Sequence, residues 1–449
     1  MEEQTKRIQS RVVTAFLLLL SFAAPAACPV AAQTDAGPLA RRVREIAARF
    51  VAEPAAPDTL FHPDFLAQIP PAQLMGIFQQ FHAQAGAVVR TVQTLSRGSE
   101  YGEYRFETDR GMSFPAKFGV ESGAPYRIEM LWFGSPQSMT ITPGEIVGKL
   151  KALHGRTSLA VFRLDGAAPR LMHGLEPDAP LAIGSTFKLY VLGALAQEAA
   201  TGRVPWERVV RLDERFKPLA SGVLHSWPAG TPLTVQTLAS EMISISDNTA
   251  TDHLLHLLGR PVVEAVQKTM GHATPERNVP FLATRELFQL KTKDHPERMS
   301  AYLARDAAGR RAYLDDSLSR VARPEITGFE LRTPAAIDRI EWFASTADLC
   351  RAMDWLRART EGEANRRAAP ARAILAINPG VELDRKAWTY IGYKGGSEPG
   401  VLSMTWLLGR RDGAWFAVSA SWNDEAKTVD TAELATLMQS LVGLLATAD

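Results

Sequence analysis

A serine and a lysine spaced three residues apart stand directly before a long apolar run, and this stretch limits how the chain can fold. Residues 181–190 read LAIGSTFKLY, with Ser185 and Lys188 inside, and the apolar run continues to Leu195. If the run is a helix, Ser185 and Lys188 share a face and meet at its first turn. A run that is apolar nearly all round predicts a buried helix. Because burial lowers the pKa of a lysine, the stretch pairs a candidate nucleophile with a candidate base.

The same pattern also describes a helix that happens to begin with a serine, because this four-residue motif is short. Length and composition leave the choice open. The 449 residues allow two domains or one large domain, and 46% hydrophobic and 22% charged residues are ordinary for a soluble globular protein. A net charge of +1 gives no reason to expect a nucleic-acid partner. His253 and His256 lack a cysteine or carboxylate pattern around them, so we predict no metal and no cofactor.

The first residues are typical of a secretory targeting segment. Three basic residues precede an apolar run over residues 12–27, which is too short to span a bilayer comfortably. Small residues predict cleavage after Ala32, so residues 1–32 are a predicted signal peptide and the protein is expected to be periplasmic or secreted. An uncleaved anchor is the alternative, and a lipid anchor at Cys28 is less favoured. Cys350 would then be alone, without an internal disulfide.

Residues 36–138 predict a small α+β domain. Helical spacing begins at Pro38, stops at a Pro-rich interruption, and returns over residues 74–81. Four strand-like runs follow, at residues 87–95, 100–108, 112–120 and 126–133. Helices followed by strands indicate a curved antiparallel sheet over helices, which is cone-like. A packing or spacer domain is the favoured interpretation, and a cone-shaped ligand pocket is the alternative.

Residues 142–449 predict a second, larger domain. A helix and a hairpin lead into the Ser185 stretch, and a three-stranded meander and a last helix end the chain. The predicted helices cover residues 142–154, 234–244, 249–258, 345–358 and 431–446, and the strands of the meander cover 387–393, 401–408 and 415–422. Between them, residues 271–341 are rich in proline and predict a long loop with helical pieces at 284–291 and 296–310.

Two more polar motifs lie in this domain. Residues 246–248 read SDN on a predicted short connection between two helices, a place from which polar side chains can point into a cleft. Residues 394–397 read KGGS at the predicted end of a strand, where glycines let the backbone approach a ligand closely. Each motif alone is weak, but together with the Ser185 motif, in this order and on these elements, they are specific.

The three motifs resemble the signatures of the penicillin-recognising serine hydrolases, most closely the class A β-lactamases. The resemblance covers residues 142–449, with an insertion near residues 287–341. It implies a β-lactamase/transpeptidase-like α/β domain, in which an antiparallel sheet is flanked by the terminal helices and joined to an all-helical lobe.

The resemblance also implies a role for each motif residue. Ser185 attacks a strained amide or an ester carbonyl, and neutral Lys188 takes its proton. Ser246 relays that proton to the leaving nitrogen with the help of Lys394, which also attracts a substrate carboxylate. Asn248 hydrogen-bonds a substrate amide.

The same resemblance places an oxyanion hole and further substrate contacts on the third motif. The backbone N–H groups of Ser185 and Ser397 would form the oxyanion hole, and Gly396 would lie against the substrate. Removing one such donor typically costs about two to three powers of ten in rate.

Two departures from the family pattern stand out. Gly395 replaces the usual threonine or serine, so a hydroxyl that helps to hold the substrate carboxylate is missing, and Ser397 is the expected compensation. Class A enzymes also carry a glutamate about three dozen residues after the SDN motif, which activates the deacylating water. Here that place falls near residues 281–283, which read FLA. Glu286 is the candidate substitute, with a helix-start residue stabilised by the dipole as the alternative.

The order of an α+β domain, a class A-like domain and a long insertion is similar to a subgroup that includes an accessory protein of clavulanic acid biosynthesis. The front domain of that protein has a ketosteroid-isomerase-like cone fold. The subgroup also lacks the usual deacylation glutamate, and its expected substrates include esters and cephalosporin-like rings.

We therefore expect an exported serine hydrolase that opens a β-lactam ring, or a related amide or ester, through an acyl-enzyme at Ser185, with a role in β-lactam catabolism and antibiotic resistance. The alternatives are an esterase or D,D-peptidase of the same fold, or a penicillin-binding sensor that is acylated without efficient turnover. The expected partner is a small-molecule substrate (a β-lactam, an ester or a cell-wall peptide), with no nucleic acid and no metal. The sequence leaves the oligomeric state open.

Overall fold

The computed structural model describes residues 37–447, apart from residues 56–57, 98, 139–140, 165, 167, 220 and 323–332. The predicted signal peptide and Cys28 lie outside the described residues. The chain divides into two compact units between residues 140 and 141. In the part of the chain that the structure describes, no helix is both long enough and apolar enough to cross a membrane.

The first unit consists of three helices followed by one sheet. The helices are α1 (Pro38–Ala47), α2 (Pro63–Gln68) and α3 (Pro71–Ala85). The strands are β1 (Val88–Arg97), β2 (Tyr101–Thr108), β3 (Met112–Val120), β4 (Ile128–Phe133) and β5 (Gln137–Ser138). The sheet is antiparallel in the order β1-β2-β3-β4, with β5 paired to β3. The predicted order of helices and four strands is confirmed. Helix α2 was not predicted, and it forms in the Pro-rich interruption because Pro63 suits a first helical position.

Aromatic rings fill the space between the helices and the sheet of the first unit. Phe50 is fully buried, and its ring centroid lies 5.4 Å from that of Phe78, 5.8 Å from that of Phe106 and 5.3 Å from that of Phe133. Such tilted and edge-to-face contacts stabilise a core beyond the apolar area that they bury. The unit is therefore α+β with a shared aromatic core, while its cone-like character stays a prediction.

The second unit has eleven helices among its described residues. They are α4 (Pro143–Ala152), α5 (Lys188–Ala200), α6 (Val235–Ser244), α7 (Asn248–Leu258), α8 (Arg260–Thr269), α9 (Thr284–Lys291), α10 (Pro296–Leu303), α11 (Ala307–Asp316), α12 (Thr346–Arg359), α13 (Pro370–Leu375) and α14 (Thr431–Leu445). The expected helix over residues 296–310 is interrupted. It forms two helices, α10 and α11, because Asp306 caps the second by accepting a hydrogen bond from the Gly309 N–H.

The strands of the second unit form one large sheet and two small pairs. They are β6 (Arg156–Arg163), β7 (Arg170–Leu175), β8 (Leu181–Ala182), β9 (Val209–Arg211), β10 (Pro232–Thr234), β11 (Phe343–Ala344), β12 (Trp388–Glu398), β13 (Val401–Arg410) and β14 (Trp415–Asn423). The large sheet is antiparallel in the order β12-β13-β14-β6-β7. The two small pairs are β8 with β11 and β9 with β10.

Different helices cover the two faces of the large sheet. The terminal helices α4 and α14 bury Leu150 and Leu441 in one apolar core with Trp406. Alternate residues of the same strands, such as Ala417, belong to a second core that α5, α12 and the other helices form. Helix α5 lies within this lobe and is buried along most of its length, as its apolar sequence predicts. The predicted sheet, terminal helices and helical lobe are therefore present.

Candidate active site

Ser185 lies in a 3-10 helix, Gly184–Phe187, that directly precedes α5. Gly184 has φ of +47°, in the left-handed region that favours glycine. Phe187 is fully buried, and its ring stacks on that of Trp342 with centroids 3.7 Å apart. This stacking holds the turn in place. Ser185 itself is half-buried and lines a cleft of about 670 Å³.

Strand β12 is an edge strand of the large sheet, and its unpaired edge lies along this turn. A Cβ atom at Gly396 would lie 2.2 Å from the Ile183 oxygen and 2.4 Å from the Ser185 nitrogen, so a side chain there would push the strand away. A Cβ atom at Gly184 would lie 3.0 Å from the Ser397 nitrogen. The N–H groups of Ser185 and Ser397, which the resemblance assigns to the oxyanion hole, are therefore on facing segments of backbone.

The third motif lies inside β12 and not at its end, because the strand stays paired with β13 as far as Glu398. The structure also reveals a hydroxyl near Gly395 that the sequence did not indicate. A Cβ atom at Gly395 would lie 2.1 Å from the Tyr393 hydroxyl oxygen, so this hydroxyl occupies the space of a side chain at position 395. Tyr393 lines the cleft, and burial raises its pKa and keeps the hydroxyl protonated. Tyr393 can therefore donate a hydrogen bond where the family usually has threonine or serine.

Lys188 is fully buried, and its amine points to the SDN segment. Its Nζ donates hydrogen bonds to the Ser246 carbonyl oxygen at 2.6 Å, the Ser246 Oγ at 3.0 Å and the Asn248 Oδ1 at 2.8 Å. Burial, and then the neighbouring Lys394, hold the pKa of Lys188 well below its usual range. The amine is thus suited to act as a base, but its hydrogen bonds go to Ser246 and Asn248 instead of Ser185. The expected first helical turn is replaced by a 3-10 turn, and α5 starts only at Lys188.

The Ser246 hydroxyl lies between two lysines. Its Oγ is 3.0 Å from the Lys188 Nζ and 3.1 Å from the Lys394 Nζ. Ser246 has φ of +59°, a strained conformation that is uncommon outside glycine and persists mainly at functional sites. Burial lowers the pKa of Lys394 to about 7. Two buried amines beside one hydroxyl disfavour a second positive charge. Ser246 can therefore pass a proton between a neutral and a charged amine.

Two buried aspartates, one at the start of α7 and one inside it, hold this helix in place. Asp247 caps the helix and also accepts a hydrogen bond from the Val223 N–H at 2.7 Å. Asp252 accepts from the Thr284 N–H at 2.7 Å, which ties α7 to the start of α9. Asn248 was predicted on a connection between helices, but it is the first residue of α7 because Asp247 provides the cap. It lines the cleft while its Oδ1 holds Lys188.

Glu286 has a structural partner. Its carboxylate forms an ion pair with Arg260 at 2.7 Å and accepts a hydrogen bond from the Ala283 N–H at 2.7 Å. Among the described residues of α9, Thr284, Leu287 and Phe288 line the cleft and Glu286 does not. The structure therefore does not support water activation by Glu286. It fits the alternative, an acidic residue in the first turn of a helix.

Two other carboxylic acids line the cleft, and the sequence did not single them out. Glu341 precedes Trp342, and Glu398 is the last residue of β12. Both contact the buried amine of Lys291 at the end of α9. These three residues come from segments far apart in the chain, so spacing gave no signal for them.

One group of metal-ligand side chains is present among the described residues. His62, Glu121 and Glu129 of the first unit have ligand atoms within 4.8 Å of one another. Glu121 is already paired with Arg127 at 2.9 Å, which lowers its pKa, and Glu129 is exposed. We therefore assign no metal to this group.

The cleft of the second unit is suited to acyl transfer. It combines a half-buried serine, facing backbone N–H groups, and two amines of lowered pKa joined through the Ser246 hydroxyl. A nucleophile with a proton acceptor within relay distance, and donors for a developing oxyanion, define the chemistry of serine acyl-transfer sites.

Residues 150–311 match the model of the beta-lactamase enzyme family. The matched range contains Ser185, Lys188 and the SDN segment, whereas Lys394 lies beyond it. The resemblance to β-lactamases predicted from the three motifs is thus confirmed. No curated protein sequence matches the chain.

Several solved structures are similar to part of the chain. A mutant of PBP-A, described as an acyl-enzyme complex with penicillin G, is 16% identical with a TM-score of 0.47 and covers 68% of this chain and 94% of its own. A β-lactamase from Sphaerobacter thermophilus is 19% identical with a TM-score of 0.47, covering 68% and 96%. A β-lactamase from Desulfarculus baarsii is 20% identical with a TM-score of 0.47, covering 68% and 98%.

We expect Glu286→Gln to destabilise the protein without slowing the release of an acyl group from Ser185. The free energy of unfolding should fall by roughly 1–3 kcal/mol, because Arg260 stays buried without its counter-ion. Denaturant unfolding and intact-mass spectrometry measure the two quantities. Glu297→Gln, at an exposed position on α10, is the control. Slower release of the acyl group at an unchanged free energy of unfolding would show that Glu286 takes part in the reaction.

If Lys188 is the base, the acylation of Ser185 should speed up as the pH rises through the titration of Lys188, since only the neutral amine can accept a proton. Lys394→Ala removes a neighbouring positive charge, so the pKa of Lys188 should rise. The acidic limb of the curve of acylation rate against pH should then move to higher pH. Rate constants for covalent labelling, measured from about pH 5 to 10, report the limb in both proteins. Lys386→Ala, at an exposed position before β12, should leave the limb in place. An unmoved limb in Lys394→Ala would show that the two amines are not coupled.

Proposed function

We propose that the second unit is a serine hydrolase of the β-lactamase type, which transfers an acyl group from a β-lactam, or a related amide or ester, to Ser185 and then to water. One observation carries the proposal. The Ser246 hydroxyl lies within 3.1 Å of the amines of both Lys188 and Lys394, in the cleft that Ser185 lines. Burying two amines beside a hydroxyl is costly for folding, whereas the same arrangement can transfer a proton during a reaction.

In the acylation step, the Ser185 oxygen attacks the substrate carbonyl. The proton of Ser185 passes to the neutral Lys188 amine, and the N–H groups of Ser185 and Ser397 stabilise the oxyanion. As the carbon–nitrogen or carbon–oxygen bond breaks, a proton moves through Ser246 to the leaving atom. Proton and charge balance is restored because Lys188 returns to its neutral form.

The other cleft residues fit a substrate with a carboxylate and an amide. Lys394 supplies positive charge when protonated, and the Tyr393 hydroxyl lies at the position of the missing side chain of Gly395. Asn248 is held by Lys188 through its Oδ1 and donates one Nδ2 hydrogen to the Leu219 carbonyl at 3.5 Å, so its second Nδ2 hydrogen can be donated to a substrate carbonyl. A β-lactam and a terminal cell-wall peptide both carry these groups, whereas a simple ester lacks them.

We expect benzylpenicillin to label the wild-type protein covalently at Ser185. Ser185→Ala should abolish the adduct, and Lys188→Met should slow its formation by about 10²- to 10⁴-fold, because the proton acceptor is lost. Intact-mass and peptide mass spectrometry measure both effects. Ser240→Ala on α6, whose hydroxyl bonds the Gln236 carbonyl, is the matched control. Labelling that survives Ser185→Ala would contradict the proposal.

Three substrates distinguish the activities that share this site. Rapid return to free enzyme after benzylpenicillin indicates a β-lactamase, and faster turnover of a p-nitrophenyl ester indicates an esterase. Release of D-alanine from a D-alanyl-D-alanine peptide indicates a D,D-peptidase. A penicillin adduct that persists indicates a sensor.

We also propose that the protein is exported and that its leader is removed after Ala32. The proposal is supported by the basic residues, the short apolar run and the small residues before position 33. N-terminal sequencing of the protein from fractionated cells should give a chain that starts at Gln33 outside the cytoplasm. A chain that keeps residues 1–32 would contradict cleavage, and a lipid on Cys28 would place the cleavage earlier.

A further inference from the structure

The groups assigned around Ser185 serve attack, and release of the acyl group also needs an acceptor for the proton of the deacylating water. Residues 281–283 carry no carboxylate, and Glu286 is paired with Arg260. The carboxylic acids among the described residues that line the cleft are Glu341 and Glu398. Their position relative to Ser185 therefore matters for the second half of the reaction.

Glu341 is held close to the Ser185 turn by its neighbour in the chain. The Ile183 N–H donates a hydrogen bond to the Trp342 carbonyl oxygen at 3.0 Å. The Trp342 ring stacks on Phe187, on the other side of Ser185 in the sequence. Glu341 is thus anchored through residues that flank Ser185, and its side chain is 1% exposed in the cleft wall.

Glu398 reaches the same place along β12. Side chains at alternate positions of a strand share a face, so Lys394, Gly396 and Glu398 lie on one face of β12. Lys394 contacts Ser246, and Gly396 touches the backbone of Ser185. Glu398 is therefore on the face that carries the contacts with the catalytic groups.

The two carboxyl groups meet. They do so at one buried amine, because the Lys291 Nζ lies 3.6 Å from Glu341 and in direct contact with Glu398. Burial, and then the charge of Glu398, raise the pKa of Glu341 well above its usual range. Lys291 thus holds two cleft carboxyl groups side by side, and burial favours the protonated form of Glu341.

We propose that the Glu341–Glu398 pair accepts the proton of the water that releases the acyl group from Ser185. The inference rests on the proposed acyl-enzyme. The water oxygen forms a bond to the acyl carbon while its proton passes to the pair. The bond between that carbon and the Ser185 oxygen then breaks, and the pair returns a proton to this oxygen. Over the whole step, the acid product gains an OH group and the Ser185 oxygen gains a hydrogen, which together account for one water molecule, and no other reactant is needed.

The test separates release from attack. Glu341→Gln and Glu398→Gln should each be labelled at Ser185 by benzylpenicillin at close to the wild-type rate, and should release the adduct at least about 100-fold more slowly. Time-resolved intact-mass spectrometry measures both rates in one experiment. Normal labelling shows that the variant is folded with an intact site. The Glu398 side chain is 12% exposed, so Glu398→Gln should disturb folding less than Glu341→Gln. Glu198→Gln, at a buried glutamate paired with Arg203, is the matched control for loss of an ion pair.

The outcomes are distinct. Accumulation of the adduct in both variants, with fast release in wild type and in Glu198→Gln, supports the inference. Release at the wild-type rate in either variant overturns it, as does a wild-type adduct that persists, although Ser185 would remain the nucleophile in both cases. The absence of any wild-type adduct, with penicillin and with a p-nitrophenyl ester, overturns the proposed function and this inference with it.

Discussion

The rest of the active site depends on the burial of two amines around one hydroxyl. A charged ammonium is costly to remove from water, and Lys188 and Lys394 are both almost fully buried beside Ser246. The hydrogen bonds to Ser246 and Asn248 satisfy the donors of Lys188, while the lowered pKa values remove part of the charge. The helical lobe thus suits Lys188 to the proposed role of a base, because α5 must be apolar on nearly every side to bury its first residue.

That burial requires backbone segments to approach one another more closely than side chains permit. Gly396 lies against the Ser185 nitrogen, and Gly184 lies against the Ser397 nitrogen, so each glycine clears space for the other segment. Gly395 serves a different purpose, because it leaves its space to the Tyr393 hydroxyl. Gly184 and Gly396 are therefore steric requirements of the turn. Gly395 instead lacks the hydroxyl that the family usually has at its position, and the Tyr393 hydroxyl of the same strand occupies that space.

The sequence predicts well what lies on one element and poorly what meets between elements. The apolar run after Lys188, the SDN segment and the glycines of β12 are local patterns, and the structure places all three around one cleft. The extent of β12 depends on pairing with β13, which the sequence pattern does not contain. Glu341 and Glu398, which meet at the Lys291 amine, come from the end of an irregular segment and the end of a strand, so no spacing in the sequence could reveal the pair. Family resemblance directed attention to residues 281–283, which are buried near Phe187 instead.

Strand β12 links the two halves of the reaction. In the proposed reaction, its Lys394 belongs to the proton relay for attack and its Glu398 to the carboxyl pair, while its Ser397 N–H faces the turn that carries Ser185. An edge strand has one free side, and here that side lies along the Ser185 turn, fixed by contacts that tolerate no added Cβ atom. A displacement of β12 would therefore move the relay, the oxyanion donors and the carboxyl pair together. In the proposed reaction, attack and release therefore depend on each other, because one strand positions groups for both.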